Sequence, residues 1–299
     1  KFLTFFLLVS VFFNCRIIAL DVGINIDILN PGGFTNATAL RKAGASTVRI
    51  EFKDSSTGSV SAFPTYDGPI NEILSENLSV LMILDYTTLP GYPPNDWNTY
   101  ITQFAQRSSQ IVSHYAGRVS AFEIWNEPDL QQTYVAPSTY AQLLSATFQA
   151  IHNSVGNQAV VIVGGLASGN PQYLQDVINA SNGKRTYDAV GIHPYGQRPQ
   201  PNWPNPSWGF GNLITLLNRY SQVADKPLWI TEDGTNDLNV QGDFPAHLFN
   251  ALAVNASSTV PLVYWFCWSD AMVNPFGLVN SNQQPKPSYY SFQQWTSSH

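Results

Sequence analysis

The stretch Val119-Ser120-Ala121-Phe122-Glu123-Ile124-Trp125-Asn126-Glu127-Pro128-Asp129 decides how the rest of the chain is read. It starts as a β-branched and aromatic run, the composition of a buried strand. It breaks at Asn126-Glu127-Pro128. Proline has no N–H for a strand ladder, so the strand ends there. An amide and a carboxyl group are thereby held at the C-terminal lip of a strand, next to an indole. What they mean depends on whether the chain repeats this arrangement and supplies a second carboxyl group.

Working outward, strand-like and helix-like segments alternate eight times. Upstream lie the runs Leu20 to Ile26, Thr47 to Phe52 and Ser79 to Asp85, and the opening stretch is the fourth. Downstream lie Ala159 to Gly164, Asp188 to His193, Pro227 to Glu232 and Pro261 to Trp268. Between them fall helical patterns: one from Asn36 stopped by Gly44, Ile70 to Asn77, Trp97 to Tyr115, Pro137 to Val155, Pro171 to Ala180, Gly211 to Val223, Phe244 to Val254, and Ser288 to Trp295. Several strands are apolar throughout, the mark of parallel strands covered on both faces. Eight such units predict an α/β fold, a (β/α)8 TIM barrel. An open doubly wound sheet would carry a Gly-rich phosphate turn after its first strand, and Asn30-Pro31-Gly32-Gly33 does not fit that pattern.

The 299 residues are 44% hydrophobic, 13% aromatic and 11% charged, with net charge −6. That suits one folded domain over 21–299 with an aromatic-lined cleft, and the lack of a Lys/Arg run argues against nucleic acid as a partner. Residues 1–20 differ: Lys1 is followed by an apolar run from Phe2 to Phe13. This pattern predicts a secretory signal peptide, too short for stable membrane insertion, and a secreted, extracellular product. Four Asn-x-Ser/Thr sequons, at Asn36, Asn77, Asn179 and Asn255, fit a secreted glycoprotein. Cys15 and Cys267 form no disulfide framework, and no metal-ligand spacing is present. The expectation is a monomer that needs neither metal nor cofactor.

In such a barrel, chemistry sits at the C-terminal ends of the strands. Strand two carries Arg49 and Glu51, strand three ends at Asp85, and strand four at Asn126-Glu127. Strand six ends at His193-Pro194-Tyr195, strand seven at Glu232-Asp233, and strand eight in Trp265, Trp268 and Asp270. Contact with solvent at strand ends accounts for Asp85, Asp233 and Asp270, but less well for an Arg, two Glu and a His on one rim. Glu127 and Glu232, on strands four and seven, face each other across one opening. Two carboxyl groups flanking a scissile bond are the minimum equipment for glycoside hydrolysis. One must stay protonated, which a neighbouring charge and burial favour, and the other ionised, which Arg49 and Tyr195 favour.

Trp125-Asn126-Glu127-Pro128 followed by Ile230-Thr231-Glu232 resembles the retaining glycoside hydrolases of clan A, the four-seven barrels. The resemblance spans 21–299. His193-Pro194-Tyr195 and Arg49 are similar to the cellulase-like family 5; Glu123-Ile124-Trp125-Asn126-Glu127-Pro128 is worded more like family 39. The resemblance implies that Glu127 is the acid/base and Glu232 the nucleophile, cleaving β-glycosidic bonds of poly- or oligosaccharides. It implies that Asn126 contacts the sugar 2-hydroxyl, that Arg49 and Tyr195 orient Glu232, that His193 lines the subsite, and that Trp265 or Trp268 floors it. A transglycosylase would use the same residues, and a non-catalytic carbohydrate-binding barrel would keep the cleft. Glu123 is expected to point the same way as Trp125 and Glu127 and to pair with Arg49. Trp203 and Trp208 are read either as distal sugar platforms or as packing for their own loop, and Cys267 as a small buried hydrophobe.

Overall fold

The computed structural model describes residues 20–54, 62–199 and 211–299. All but the last residue of the signal peptide expected over 1–20, and the loop holding Trp203 and Trp208, lie outside the described residues. Eight parallel strands close on themselves: β1 Asp21–Asn25, β2 Thr47–Glu51, β3 Ser79–Leu84, β4 Ala121–Ile124, β5 Val160–Leu166, β6 Ala189–Ile192, β7 Leu228–Asp233 and β8 Leu262–Trp265. Each neighbours the next, and β8 returns to β1 with Val22 opposite Val263. Among the described residues eight α-helices cover the outside: α1 Ala37–Ala43, α2 Phe63–Ser75, α3 Trp97–His114, α4 Pro137–Val155, α5 Gln172–Ala180, α6 Leu213–Ser221, α7 Phe244–Asn255 and α8 Pro287–Ser298. The expected (β/α)8 barrel is the observed architecture. No helix among the described residues is long and apolar enough to cross a membrane.

Local chemistry sets the helix ends. Asn36 caps α1 by accepting from the Ala39 amide, and Gly44 closes it at φ 100°, in the left-handed region open to glycine. The second helix starts earlier than the pattern predicts. Pro69 looks like a helix start at Ile70, yet it lies inside α2. Phe63 and Tyr66 pack on Phe52, with ring centroids 5.8 and 4.6 Å away, and this anchoring carries the helix upstream.

Period-two alternation sorts the strand residues. Val22, Ile24, Val48, Ile50, Val80, Met82, Phe122, Ile124, Val161, Val163, Val190, Ile230 and Val263 join the large apolar layer beneath the helices. The other parity faces the barrel axis, where Leu81, Ile83, Ala121, Ile162, Ala189, Leu262 and Tyr264 fill the lower end. Gly23 makes room there, because a Cβ would stand 2.3 Å from the Tyr264 ring. Above this plug the inward positions turn polar, with Asn25, Arg49, Glu123 and Thr231 all buried. Buried polar groups must be paired, and their pairing builds the site.

Candidate active site

Arg49, on β2, is 1% exposed and donates from all three of its guanidinium nitrogens. Its Nε donates to Glu123 Oε2 at 2.6 Å, and Nη1 donates to Asn25 Oδ1 at 2.8 Å and to Glu232 Oε1 at 2.5 Å. Its Nη2 donates to Asn126 Oδ1 at 3.0 Å. Asn25 in turn donates to the carbonyls of Thr231 and Trp265. Burial works against the Arg49 charge, but Glu123 and Glu232 outweigh it and hold the guanidinium charged. The expected Arg49–Glu123 pair is present. With Asn126 Oδ1 taken, the amide N–H groups of Asn126 are its donors for the cleft.

Glu232 also accepts from Tyr195 Oη at 2.8 Å through its second oxygen. Burial pushes its carboxyl up, but His193, Arg49 and the Tyr195 hydroxyl bring it below the usual range. Burial and Glu232 push the Tyr195 phenol well above its ordinary value, so it stays a donor. Glu127 is different: its side chain is 24% exposed, and its Oε1 meets His193 Nδ1 at 3.0 Å. Oxygens of Glu127 and Glu232 and a His193 nitrogen lie within 4.8 Å of one another. Such a donor set could ligate a metal, but Glu232 already carries a guanidinium there, and Coulomb repulsion opposes a second cation.

Two departures from regular strand geometry assemble these groups. Between β7 and β8 the register slips, with Ile230 opposite Val263 but Asp233 opposite Trp265. A bulge lets consecutive residues share a face. Thr231 therefore reaches Glu123 at 2.8 Å while Glu232 reaches Arg49. The second slip lies between β5 and β6, at Gly164-Gly165. There His193 lies over Gly165, where a Cβ would stand 1.9 Å from its Nε2.

Several expectations are corrected. Trp125 does not point the way Glu123 does. It takes φ 77°, which turns the indole outward onto α3, where it packs on Phe104 at 5.9 Å and donates to the Thr133 carbonyl. Glu127 is also left-handed at φ 52°, a geometry that few non-glycine residues adopt. Trp265 and Trp268 do not floor the cleft. Trp265 has the outward parity of Val263, is fully buried and packs on Phe244. Trp268, 3% exposed, donates to Gln283. Phe266 lines the cleft instead, as does Tyr86. Asp85 and Asp233 are buried rather than solvent-facing. Burial and the nearby Glu51 push Asp85 up to about 7. Cys267 is buried, as expected.

The cleft has a volume of about 350 Å³ and opens at the C-terminal ends of the strands. Glu51 lines it, as do four residues not named as site candidates from sequence, Asp27, Tyr86, Phe266 and Met272. Lys53 ties Asp27 to Glu51 at 3.2 and 3.0 Å, and Thr87 Oγ1 contacts both Glu51 and Asp85. Sequence alone places Glu51 inside by parity, but the partnership of Asp27, Lys53 and Glu51 joins two strand ends and leaves no local signal. A larger hollow of about 710 Å³ lies between α7 and α8 and gathers none of the residues named so far from the strand ends.

With this geometry in view, the comparisons with known proteins are specific. The family model described as cellulase, glycosyl hydrolase family 5, matches residues 34–271. The chain belongs to glycosyl hydrolase family 5. That decides between the two families left open by the motifs. No curated protein matches the sequence. Solved structures share the fold at low identity. A xylanase, 10B from Thermotoga maritima, is 14% identical at TM-score 0.68, over 94% of this chain and 96% of its own. An intracellular xylanase from Thermoanaerobacterium saccharolyticum is 14% identical at TM-score 0.69, over 92% and 95%. A broad-specificity endoglucanase from Clostridium longisporum is 12% identical at TM-score 0.66, over 94% and 97%.

Proposed function

We propose that this family 5 chain is a retaining β-glycosidase in which Glu232 is the nucleophile and Glu127 the acid/base. The spacing of the two carboxyl groups carries the reading. An oxygen of Glu127 lies within 4.8 Å of an oxygen of Glu232, which supports the ~5–5.5 Å separation of retaining sites over the ~6.5–9.5 Å of inverting ones. The electrostatic division of labour supports the roles. Glu232 is held below the usual range by His193, the buried Arg49 cation and the Tyr195 phenol, so it is ionised for attack. Glu127 meets no cation fork and touches the imidazole, at the more open side of the pair.

In the first step Glu232 forms a bond to the anomeric carbon as the glycosidic bond breaks and Glu127 gives its proton to the departing oxygen. In the second, water attacks the anomeric carbon, Glu127 takes the water proton, and Glu232 leaves. Asn126 offers its amide to the sugar 2-hydroxyl, and Phe266 forms the apolar wall. Likeness to the xylanases and the endoglucanase supports a β-linked polysaccharide or its oligomers as substrate. Secretion is part of the proposal, and Asn36, Asn77, Asn179 and Asn255 are all exposed, as glycosylation requires.

The test is a panel of β-linked polysaccharides and aryl β-glycosides with product stereochemistry followed by NMR. The expected first product is the β-anomer. Glu232→Ala abolishes turnover on every substrate, while Glu127→Ala spares aryl glycosides whose leaving groups need little protonation. An α-anomer formed first, or near-normal activity in both variants, refutes the proposal.

A further inference from the structure

The hydrogen bonds behind His193 have a direction. Glu123 is fully buried, and its Oε2 accepts from Arg49 at 2.6 Å while its Oε1 accepts the Thr231 hydroxyl at 2.8 Å. A hydroxyl carries one hydrogen. Having given it to Glu123, Thr231 can only accept from His193 Nε2, 3.1 Å away. So Nε2 carries a hydrogen, and on a neutral imidazole Nδ1 is then a lone pair. That lone pair faces Glu127 Oε1 at 3.0 Å, with Glu232 Oε2 at 3.7 Å.

We propose that Thr231 and Glu123 are positioning residues that fix His193 as the Nε2–H tautomer, so that Nδ1 holds the proton Glu127 delivers to the leaving oxygen. The inference rests on Glu127 being the acid. A lone pair at Nδ1 welcomes a hydrogen on Glu127 and opposes a bare carboxylate. It therefore keeps the acid loaded in the resting enzyme. After the proton has gone to the glycosidic oxygen, the same lone pair favours its return from the attacking water.

The surroundings leave His193 little freedom. The ring is sandwiched over Gly165, with Tyr195 edge-on at 6.2 Å. The charged groups that face it are Glu127, Glu232 and Arg49, with Glu123 behind Thr231. Burial opposes a charge on the imidazole, but Glu232 and Glu127 outweigh it and raise its affinity for a proton.

Three variants and one spectrum test this on the whole protein. In Thr231→Val, Nε2 has no acceptor, and the imidazole is free to turn an Nδ1–H toward an ionised Glu127. The expected loss in kcat/KM is about thirtyfold on oligosaccharides, within the range of general-acid effects, with aryl glycosides of good leaving groups within about threefold. The basic limb of the pH profile moves down by about one unit, the size of a tenfold change in protonation. Thr231→Ser restores both. Glu123→Gln reverses the chain: its amide oxygen turns to Arg49 and its NH2 to Thr231, whose hydroxyl then points at Nε2, and the same leaving-group signature follows. Nitrogen-15 NMR of the wild-type imidazole shows Nε2 protonated. A uniform loss across leaving groups, an unmoved basic limb, failure of serine to rescue, or an unprotonated Nε2 overturns the inference. A wild type that cleaves no β-glycoside refutes the proposed function instead.

Discussion

Gly165→Ala tests the seat of His193 with a single carbon. The added Cβ would stand 1.9 Å from His193 Nε2 and 2.4 and 2.5 Å from its ring carbons, where ordinary contact begins at 3.4 Å. The imidazole must retreat by roughly 1.5 Å, since packed interiors leave no slack. Gly165 shows no positive φ, so alanine brings no backbone strain of its own. The retreat breaks the 3.1 Å contact to Thr231 and the 3.0 Å contact to Glu127. A displacement of about 1 Å in a catalytic group costs on the order of 100-fold in rate, and overpacking costs about 1–3 kcal/mol of stability. Steady-state kinetics on an oligosaccharide therefore shows kcat down about 100-fold with the protein still folded by circular dichroism. Gly68→Ala is the control: Gly68 lies in α2 with nothing within 4 Å of the place its new methyl would take, and the change leaves activity unaltered. A Gly165→Ala enzyme with wild-type kcat refutes the reasoning, because His193 then does not need the place the structure gives it.

Arg49→Met removes one cation from between Glu123 and Glu232 and leaves two buried carboxylates without their guanidinium partner. Urea unfolding at pH 7 shows a loss of about 3–5 kcal/mol. Asp85 has its folded pKa raised to about 7 by burial and Glu51, above the unfolded value of about 3.9, so its contribution is fully present below pH ~4 and is lost as pH rises through about 7. Thermal scans of Asp85→Asn, which cannot ionise, show the variant gaining on wild type between pH 5 and 8; parallel curves exclude this account. Trp265→Phe lowers stability by about 1–3 kcal/mol with KM unchanged, whereas Phe266→Ala raises KM with little change in stability. The reverse pattern returns Trp265 to the cleft.

Most of the fold is legible in the sequence because its signals are local. Apolar runs bounded by Pro and Gly mark the strands, and eight alternations imply closure. Much of the site is legible too: parity alone puts Arg49 and Glu123 inside the barrel, and a buried Arg requires buried carboxylates. Parity also predicts that Trp265 faces outward with Val263, and expecting it in the cleft sets chemical analogy above the alternation. The start of α2 is not legible, because Pro69 reads as a boundary while packing of Phe63 and Tyr66 on Phe52 overrides that preference.

The sequence by itself determined the eight strand–helix units, the rim on which Arg49, Asn126, Glu127, His193, Tyr195 and Glu232 stand, and the Arg49–Glu123 pair. These follow from composition and from a period of two, which each strand carries within itself. Tertiary structure alone decided that Thr231 and Glu232 both face inward, that Trp125 turns out onto α3, that Gly165 seats His193, and that Asp27, Lys53 and Glu51 meet at the cleft. A bulge is defined by register against a neighbouring strand. A left-handed turn at Trp125 persists because the packing around the indole holds it. Neither is written in the residues that adopt it.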